Sequence, residues 1–414
     1  MPNRRLGIYA LLILCLLTGL VTGRRFFFNL AYLFGALLVL SFIWTWTAVN
    51  WVRITRQTRA RRAQVGKTLD ETFTVRNTSL VPKIWLEIRD HSDVPGHNPS
   101  AVVPLIMPRQ AYRWSVSTVC AVRGEFTLGP LTLISGDPFG LFQVTRQIAA
   151  TSKILVYPAT VPIFDFATPA GVLSGGDAQR QRAHFVTTNA AGIRDYVPGD
   201  SLNRIHWKSS ARKDRMMVKE FELDPVADMW IFLDLSASAL FERPYSVDGI
   251  PPGEFFIPPS SDEYGIIIAS SLAQYFLIHE RSLGFVTYNP HRTILQPDRG
   301  NRQLSHILEE LAVARSESPI NCEQLLAIEG HHMGRGTTMI IITADPTDAW
   351  IREATLLVRR GLRTVAIVID AQSFGAEGVR GADETRAILE ANGVITYGVA
   401  QGDNLTAALS LGQR

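Results

Sequence analysis

At about 100 to 200 residues per domain, a chain of 414 residues holds two or three folded units. Its 41 basic and 38 acidic side chains leave a formal charge of +3, too small for its size to mark a nucleic-acid binder, and no nucleic-acid motif is present. Cys15, Cys120 and Cys322 stand far apart without Cys-x-x-Cys spacing. That spacing suggests neither a disulfide framework nor a zinc site, and fits reduced thiols in a cytosolic setting.

The chain opens on two uncharged runs, Leu6 to Gly23 and Phe26 to Trp51, separated by Arg24 and Arg25. Each reaches the length of about 17 apolar residues that a membrane span needs. The short turn makes them a tight hairpin with both ends on one side. Arg4 and Arg5 precede the first run, and Arg53, Arg56, Arg59, Arg61 and Arg62 follow the second. Arginine clusters favour the cytoplasmic side. The sequence therefore predicts two transmembrane helices in the cell (inner or plasma) membrane, with their basic flank, over 1–62 and a cytoplasmic soluble bulk. A cleaved signal peptide followed by one anchor is the competing reading, but no small-x-small site follows the first run.

Over 63–160 the pattern becomes period-two alternation broken by Pro, Gly and Asn, as in Thr72–Asn77, Lys83–Arg89 and Tyr112–Thr118. Such runs predict half-buried antiparallel strands in a small β-sandwich-like domain. Arg123–Pro130 and Asp137–Phe142 read as strand and turn punctuation, with Asp137 before Pro138 a turn former.

Residues 161–227 read as a linker and a loop dense in basic and aromatic residues. The loop holds Gly192-Ile-Arg-Asp-Tyr-Val-Pro-Gly-Asp200 and Arg204-Ile-His-Trp-Lys208, then Ala211 and Arg212. Arg194, Tyr196, Gly199, Asp200, Arg204, Trp207, Lys208 and Arg212 are its candidate binding residues, since guanidinium groups pair bidentately with carboxylates or phosphates. An internal role, with Tyr196 and Trp207 packed and the charges paired among themselves, is equally open.

From 228 to 414 strands alternate with helices: Asp228–Leu233, Leu283–Tyr288, Thr338–Thr343, Thr364–Ile369 and Val394–Val399 are apolar strands, with helices over Glu263–Phe276, Gln303–Arg315, Ala349–Arg360 and Glu384–Asn392. That predicts a Rossmann-type α/β domain with a parallel sheet covered on both faces. Asp234 ends the first strand, Ser236 and Ser238 follow, and Asp345 follows a later strand. Hard oxygen ligands on strand-end loops suit Mg²⁺ or Mn²⁺. A ligand-free loop in which the serines cap the next segment is the alternative.

The signature from Gly192 to Arg212, Val218-Lys-Glu-Phe-Glu222, Arg123-Gly-Glu-Phe-Thr-Leu-Gly-Pro130, Asp137-Pro-Phe-Gly-Leu-Phe142 and the hairpin together resemble the family called domain of unknown function 58. The resemblance implies a C-terminal von Willebrand factor A-like domain and partnership with MoxR-type AAA+ ATPases. It also implies a metal-ion-dependent adhesion site of the form Asp-x-Ser-x-Ser, a separate Thr and a later Asp, matched by Asp234, Ser236, Ser238 and Asp345. The Thr position is unmatched; Asp298–Gln303 there offers Asn301 and Arg302, and an arginine near the site would replace the cation's charge.

No Gly-x-Ser-x-Gly, His-Glu-x-x-His or phosphate-loop motif is present, so no catalytic constellation is outlined. The expectation is a membrane-anchored cytoplasmic binding or adaptor protein, not an enzyme, that works with a MoxR-type AAA+ ATPase on protein clients during complex assembly or maturation, and binds no nucleic acid. The alternative is a metal-dependent envelope hydrolase or transferase acting on an anionic substrate.

Overall fold

A computed structural model describes residues 2–59, 61–167, 190–197, 205–221, 228–245 and 256–410. Helices α1 (Pro2–Thr22) and α2 (Arg25–Val49) form a hairpin, and both are long and apolar enough to cross a membrane. Small residues bring them together: a Cβ on Gly19 would lie 3.3 Å from the Phe28 ring, and one on Gly35 would lie 3.8 Å from Leu12. At the open end, Arg5 stacks on the Phe142 ring, which also meets Phe42. Beyond that level α2 continues alone into the next domain, burying Thr45, Ala48 and Val49. Buried Lys83 donates to the Thr47 carbonyl, placing a cation at the negative end of the helix.

Ten strands follow: β1 (Val52–Thr58), β2 (Arg62–Gln64), β3 (Thr68–Asn77), β4 (Lys83–Asp90), β5 (Ala101–Ile106), β6 (Ala111–Val119), β7 (Gly124–Leu128), β8 (Leu131–Gly136), β9 (Gln143–Ile148) and β10 (Ser152–Tyr157). They make sheets of order β1-β3-β6, β5-β4-β8-β9 and β2-β10-β7. Phe73 and Val75 from the first join Leu86, Ile88, Val103, Leu131 and Leu133 from the second in one apolar cluster, with Val49 of α2 among them. The packing is that of two sheets face to face.

The stretch read as a basic flank is itself strand, for β1 pairs with β3 from Val52↔Asn77 to Thr58↔Glu71. Alternation turns Val52, Ile54 and Arg56 inward, so Arg56 leaves the solvent. Its guanidinium donates to both oxygens of Glu71, at 2.8 and 2.7 Å, and to Asp90 at 3.2 Å. His97 closes this buried group at 3.0 Å from Glu71. Asp137 is the turn former its place before Pro138 suggests, accepting the backbone N–H groups of Phe139 and Phe142.

Part of the presumed linker belongs to the C-terminal core. Phe166 stacks on Tyr397 with centroids 4.7 Å apart, and the Val161 N–H donates to Ser271. A separate two-stranded sheet joins β11 (Ala190–Asp195) to β12 (Met217–Phe221), with α3 (Trp207–Lys213) between them in sequence.

The C-terminal unit comprises β13 (Met229–Leu233), α4 (Ser261–Ile278), β14 (Leu283–Asn289), β15 (His291–Asp298), α5 (Gly300–Val313), α6 (Cys322–Glu329), β16 (Thr338–Thr343), α7 (Ala349–Arg359), β17 (Arg363–Ile369), α8 (Ala382–Ala391), β18 (Ile395–Val399) and α9 (Leu405–Ala408). Its six-stranded sheet runs β15-β14-β13-β16-β17-β18. The expected all-parallel sheet is in fact mixed, because β15 returns antiparallel to β14 as a hairpin about Pro290. Alternate residues of each strand face opposite layers: Ile231, Leu233, Ile340 and Ile342 pack under α4 and α5. Phe232, Ile341 and Ala366 pack under α6 and α7. Both faces are thus covered, which explains the near-continuous apolar strands.

The β-rich and α/β units meet at Arg123. Its side chain donates to the carbonyls of Leu311, at 3.1 Å, and Ala314, at 2.6 Å, at the end of α5. It also forms an ion pair with Glu263 in the first turn of α4.

Candidate functional site

Helix layers change sides between β13 and β16, since β13 leads to β14 on one flank and β16 leads to β17 on the other. In doubly wound sheets such a reversal leaves a crevice at the carboxyl ends of the strands, where ligands bind. Asp234 follows β13 and Asp345 follows β16, so the chain places both carboxylates there.

Their setting is tightly specified. The Asp234 N–H donates to the Ile342 carbonyl at 3.0 Å, extending the β13–β16 ladder by one step. One Asp234 oxygen accepts the Ser236 N–H at 3.0 Å, and the other accepts the Thr343 hydroxyl at 2.6 Å. Thr343 Oγ1 in turn accepts the Asp345 N–H at 2.9 Å. Asp345 Oδ1 accepts the Thr347 N–H at 2.8 Å, and Trp350 Nε1 donates to the Asp345 carbonyl at 2.9 Å. Ser238 Oγ lies 3.2 Å from Ser236 Oγ. Beneath the loop, the segment before α6 supports it through a Ser318 N–H bond to Leu235 and an Ala237 N–H bond to Ser318.

Asp234 and Asp345 are buried, at 8% and 5% exposure. Burial raises the Asp234 pKa; the Thr343 and Ser236 hydrogen bonds oppose that rise, and the Asp345 charge adds to it. Among the described residues no basic side chain forms an ion pair with either carboxylate. Cys322 is buried alongside, and its thiol is pushed well up by burial and by the same two carboxylates. A thiol so raised is not a nucleophile at neutral pH.

Two carboxylates with serine and threonine hydroxyls form an all-oxygen donor set. Such a set suits a hard divalent ion, and burying carboxylate charge is costly without a compensating cation. The residues present therefore fit Mg²⁺ or Mn²⁺.

Asn301 and Arg302 are not part of this arrangement. β15 runs back along β14 so that Asp298 pairs with Leu283, and Leu283 pairs with Met229 at the start of β13. Asn301 and Arg302 therefore begin α5 near the amino ends of β13 and β14, the opposite end of the strands from Asp234. The residue missed by sequence reasoning is Thr343, whose position two before Asp345 is a local signal only once β13 and β16 are known to be neighbours. Thr287 is a lesser case, its buried hydroxyl holding the Leu233 carbonyl at 2.9 Å.

The signature residues form a separate cluster. Arg194 lies in β11 opposite Val218, and the Tyr196 N–H donates to Met216 at 2.9 Å. Trp207 opens α3 at 67% exposure, and Lys208 and Arg212 are exposed on the same helix. His206 caps α3 by accepting the Ser209 N–H at 3.1 Å, a structural role. Ser210 ties the helix to β12 by accepting the Met217 N–H at 2.9 Å. Gly199, Asp200 and Arg204 lie outside the described residues.

The chain thus combines an apolar N-terminal hairpin, β-sheet-rich regions and a doubly wound α/β region with an acidic switch-point site. A family profile described as "Protein of unknown function DUF58" matches residues 192–373, from the signature loop through β17. The "Uncharacterized protein YeaD" of Bacillus subtilis (strain 168) is 23% identical over 335 residues, 78% of each chain. Among solved structures, a CARDB domain from Pyrococcus furiosus matches 25% of this chain and 86% of its own at 11% identity, with a TM-score of 0.20. The sporulation control protein Spo0M of Bacillus subtilis matches 26% and 50% at 10% identity, with a TM-score of 0.17. Likeness at that level carries no assignment.

Proposed function

We propose that the protein is a membrane-anchored binding or adaptor protein with a von Willebrand factor A-like C-terminal domain. Asp234, Ser236, Ser238 and Asp345 would hold Mg²⁺ or Mn²⁺ there, with Thr343 as the hydroxyl the motif otherwise lacks. Bound in this crevice, the ion would supply a positive charge with which an acidic side chain of a partner would pair. The observation that carries this reading is the buried Asp234–Asp345 pair at the switch point, with no basic ion-pair partner among the described residues. Resemblance to domain of unknown function 58 proteins adds the class of partner, a MoxR-type AAA+ ATPase acting with protein clients. The apolar hairpin and the arginines around it favour a cytoplasmic orientation.

Affinity capture of the detergent-solubilised protein from its own cells, with and without Mg²⁺ and ATP, tests the reading. Recovery of an AAA+ ATPase that requires Mg²⁺ and is lost in Asp234→Ala supports it. Recovery of no ATPase, together with phosphoester turnover that Asp234→Ala abolishes, would replace it with the metal-dependent hydrolase.

A further inference from the structure

A cavity of about 410 Å³ lies between the end of α2 and the β-rich unit. Trp44, Trp85, Phe139 and Phe142 supply its aromatic lining, Glu87 and Asp137 are its acidic lining residues, and among the described residues no lysine, arginine or histidine lines it. Its height is fixed by the hairpin. Arg5 donates to the Leu141 carbonyl and stacks on Phe142, which meets Phe42, so Trp44 stands just past the level where α1 begins. That is the boundary of the two spans.

The strand that forms the far wall is irregular. In β4 the inward residues are Lys83, Leu86 and Ile88, so Ile84 and Trp85 both face outward. The slip is made at Trp85, which holds φ of 55°, a conformation that is strained for a bulky residue. Ser135 donates to the Trp85 carbonyl at 3.2 Å and holds the bend in place. The strain places an indole 64% exposed beside Phe139, itself 59% exposed, with Leu105 opposite Ile84 adding further apolar surface. Large apolar groups exposed together mark a contact surface, and tryptophan at a bilayer boundary is at home in the interfacial layer.

We infer that this face is a lipid-contact site. Trp85 and Phe139 enter the interfacial layer of the same bilayer that α1 and α2 cross, and a phospholipid fills the cavity between them and Trp44. The inference rests on the membrane reading of the hairpin. Continuity of the cavity with α2 selects lipid as the occupant, and a lining whose charged residues are the acidic Glu87 and Asp137 disfavours a phosphate, so the lipid is held by its apolar and carbonyl region. The Asp137–Phe142 loop then has a defined task, seating the β-rich unit on the membrane.

The full chain in nanodiscs of phospholipids brominated on the acyl chains near the carbonyls tests this, with Trp85→Phe as the comparison. The wild-type minus Trp85→Phe emission should be quenched by brominated lipid and insensitive to aqueous iodide. A tryptophan introduced as Phe139→Trp in the otherwise wild-type chain, read as the emission difference from wild type, should behave alike, and covers the case in which the Trp85→Phe variant perturbs the fold. Leu33→Trp, within α2, reports the hairpin separately. Quenching at Leu33→Trp by mid-chain bromination, with iodide quenching at positions 85 and 139, would overturn the lipid site and keep the spans. No lipid quenching at any of the three would overturn both.

Discussion

The Thr343 hydroxyl donates to the Asp234 carboxylate at 2.6 Å across two neighbouring strand ends. The same oxygen accepts the Asp345 N–H, so one side chain sets the position of both acidic loops. Thr343→Val keeps the shape and removes both bonds. A hydrogen bond to a charged group contributes roughly 1.5–3 kcal/mol, so we expect a stability loss of about 2 kcal/mol by denaturant titration, and weaker Mg²⁺ binding. Thr343→Ser should restore most of both. Equal behaviour of the Val and Ser variants would show that the hydroxyl is dispensable.

The Asp234 carboxyl has a pKa raised by burial and by Asp345. A raised carboxyl favours the protonated form in the folded state. Its contribution is therefore fully present below the unfolded pKa and is lost as pH rises through the folded value. Without divalent cation, Asp234→Asn should stabilise the protein at pH 7 by on the order of 1 kcal/mol and flatten the pH dependence. A marked loss of stability in cation-free buffer would contradict this.

Opposite behaviour belongs to Glu71. Burial alone would raise its pKa, but hydrogen bonds from His97 and Arg56 prevail and hold it at about 2, below its ordinary 4.5. That stability is complete above pH 4.5 and is lost as pH falls through about 2; it amounts to roughly 3 kcal/mol. Acid titration of thermal stability should show this loss in the wild type and not in Glu71→Gln. An acid limb shared by both proteins would place its origin elsewhere.

Much of the fold was legible where burial forces a simple pattern. β13, β16 and β17 are covered on both faces and so read as continuous apolar runs. β15 escaped notice because it is an edge strand, half-exposed, with Pro297 near its end. β1 was hidden by its arginines: a cluster of positive charge after an apolar helix resembles a membrane flank, and only the pairing with β3 shows that Arg56 points inward. The acidic residues of the site could be found because a strand-end Asp followed by serines is a local pattern. Thr343 could not, since its role exists only when β13 and β16 lie side by side.

Arg123 joins the β-rich unit to the carbonyl end of α5, whose next residues support the Asp234 loop through Ser318. Breaking a buried ion pair by removing one partner costs about 3–5 kcal/mol. Arg123→Ala should therefore split a shared thermal transition into separate ones for the two units and weaken Mg²⁺ binding at a distance, as calorimetry can record. One unchanged transition would show that the units are not coupled through this residue.

The most direct measurement is the thermal midpoint of the full chain as Mg²⁺ or Mn²⁺ is added, in wild type and in Asp234→Asn. A ligand that binds only the folded state at a hundred times its Kd stabilises by about 2.7 kcal/mol. The midpoint should rise with cation in the wild type and stay level in the variant. A level midpoint in both, or an equal rise in both, would contradict a cation site at Asp234 and Asp345.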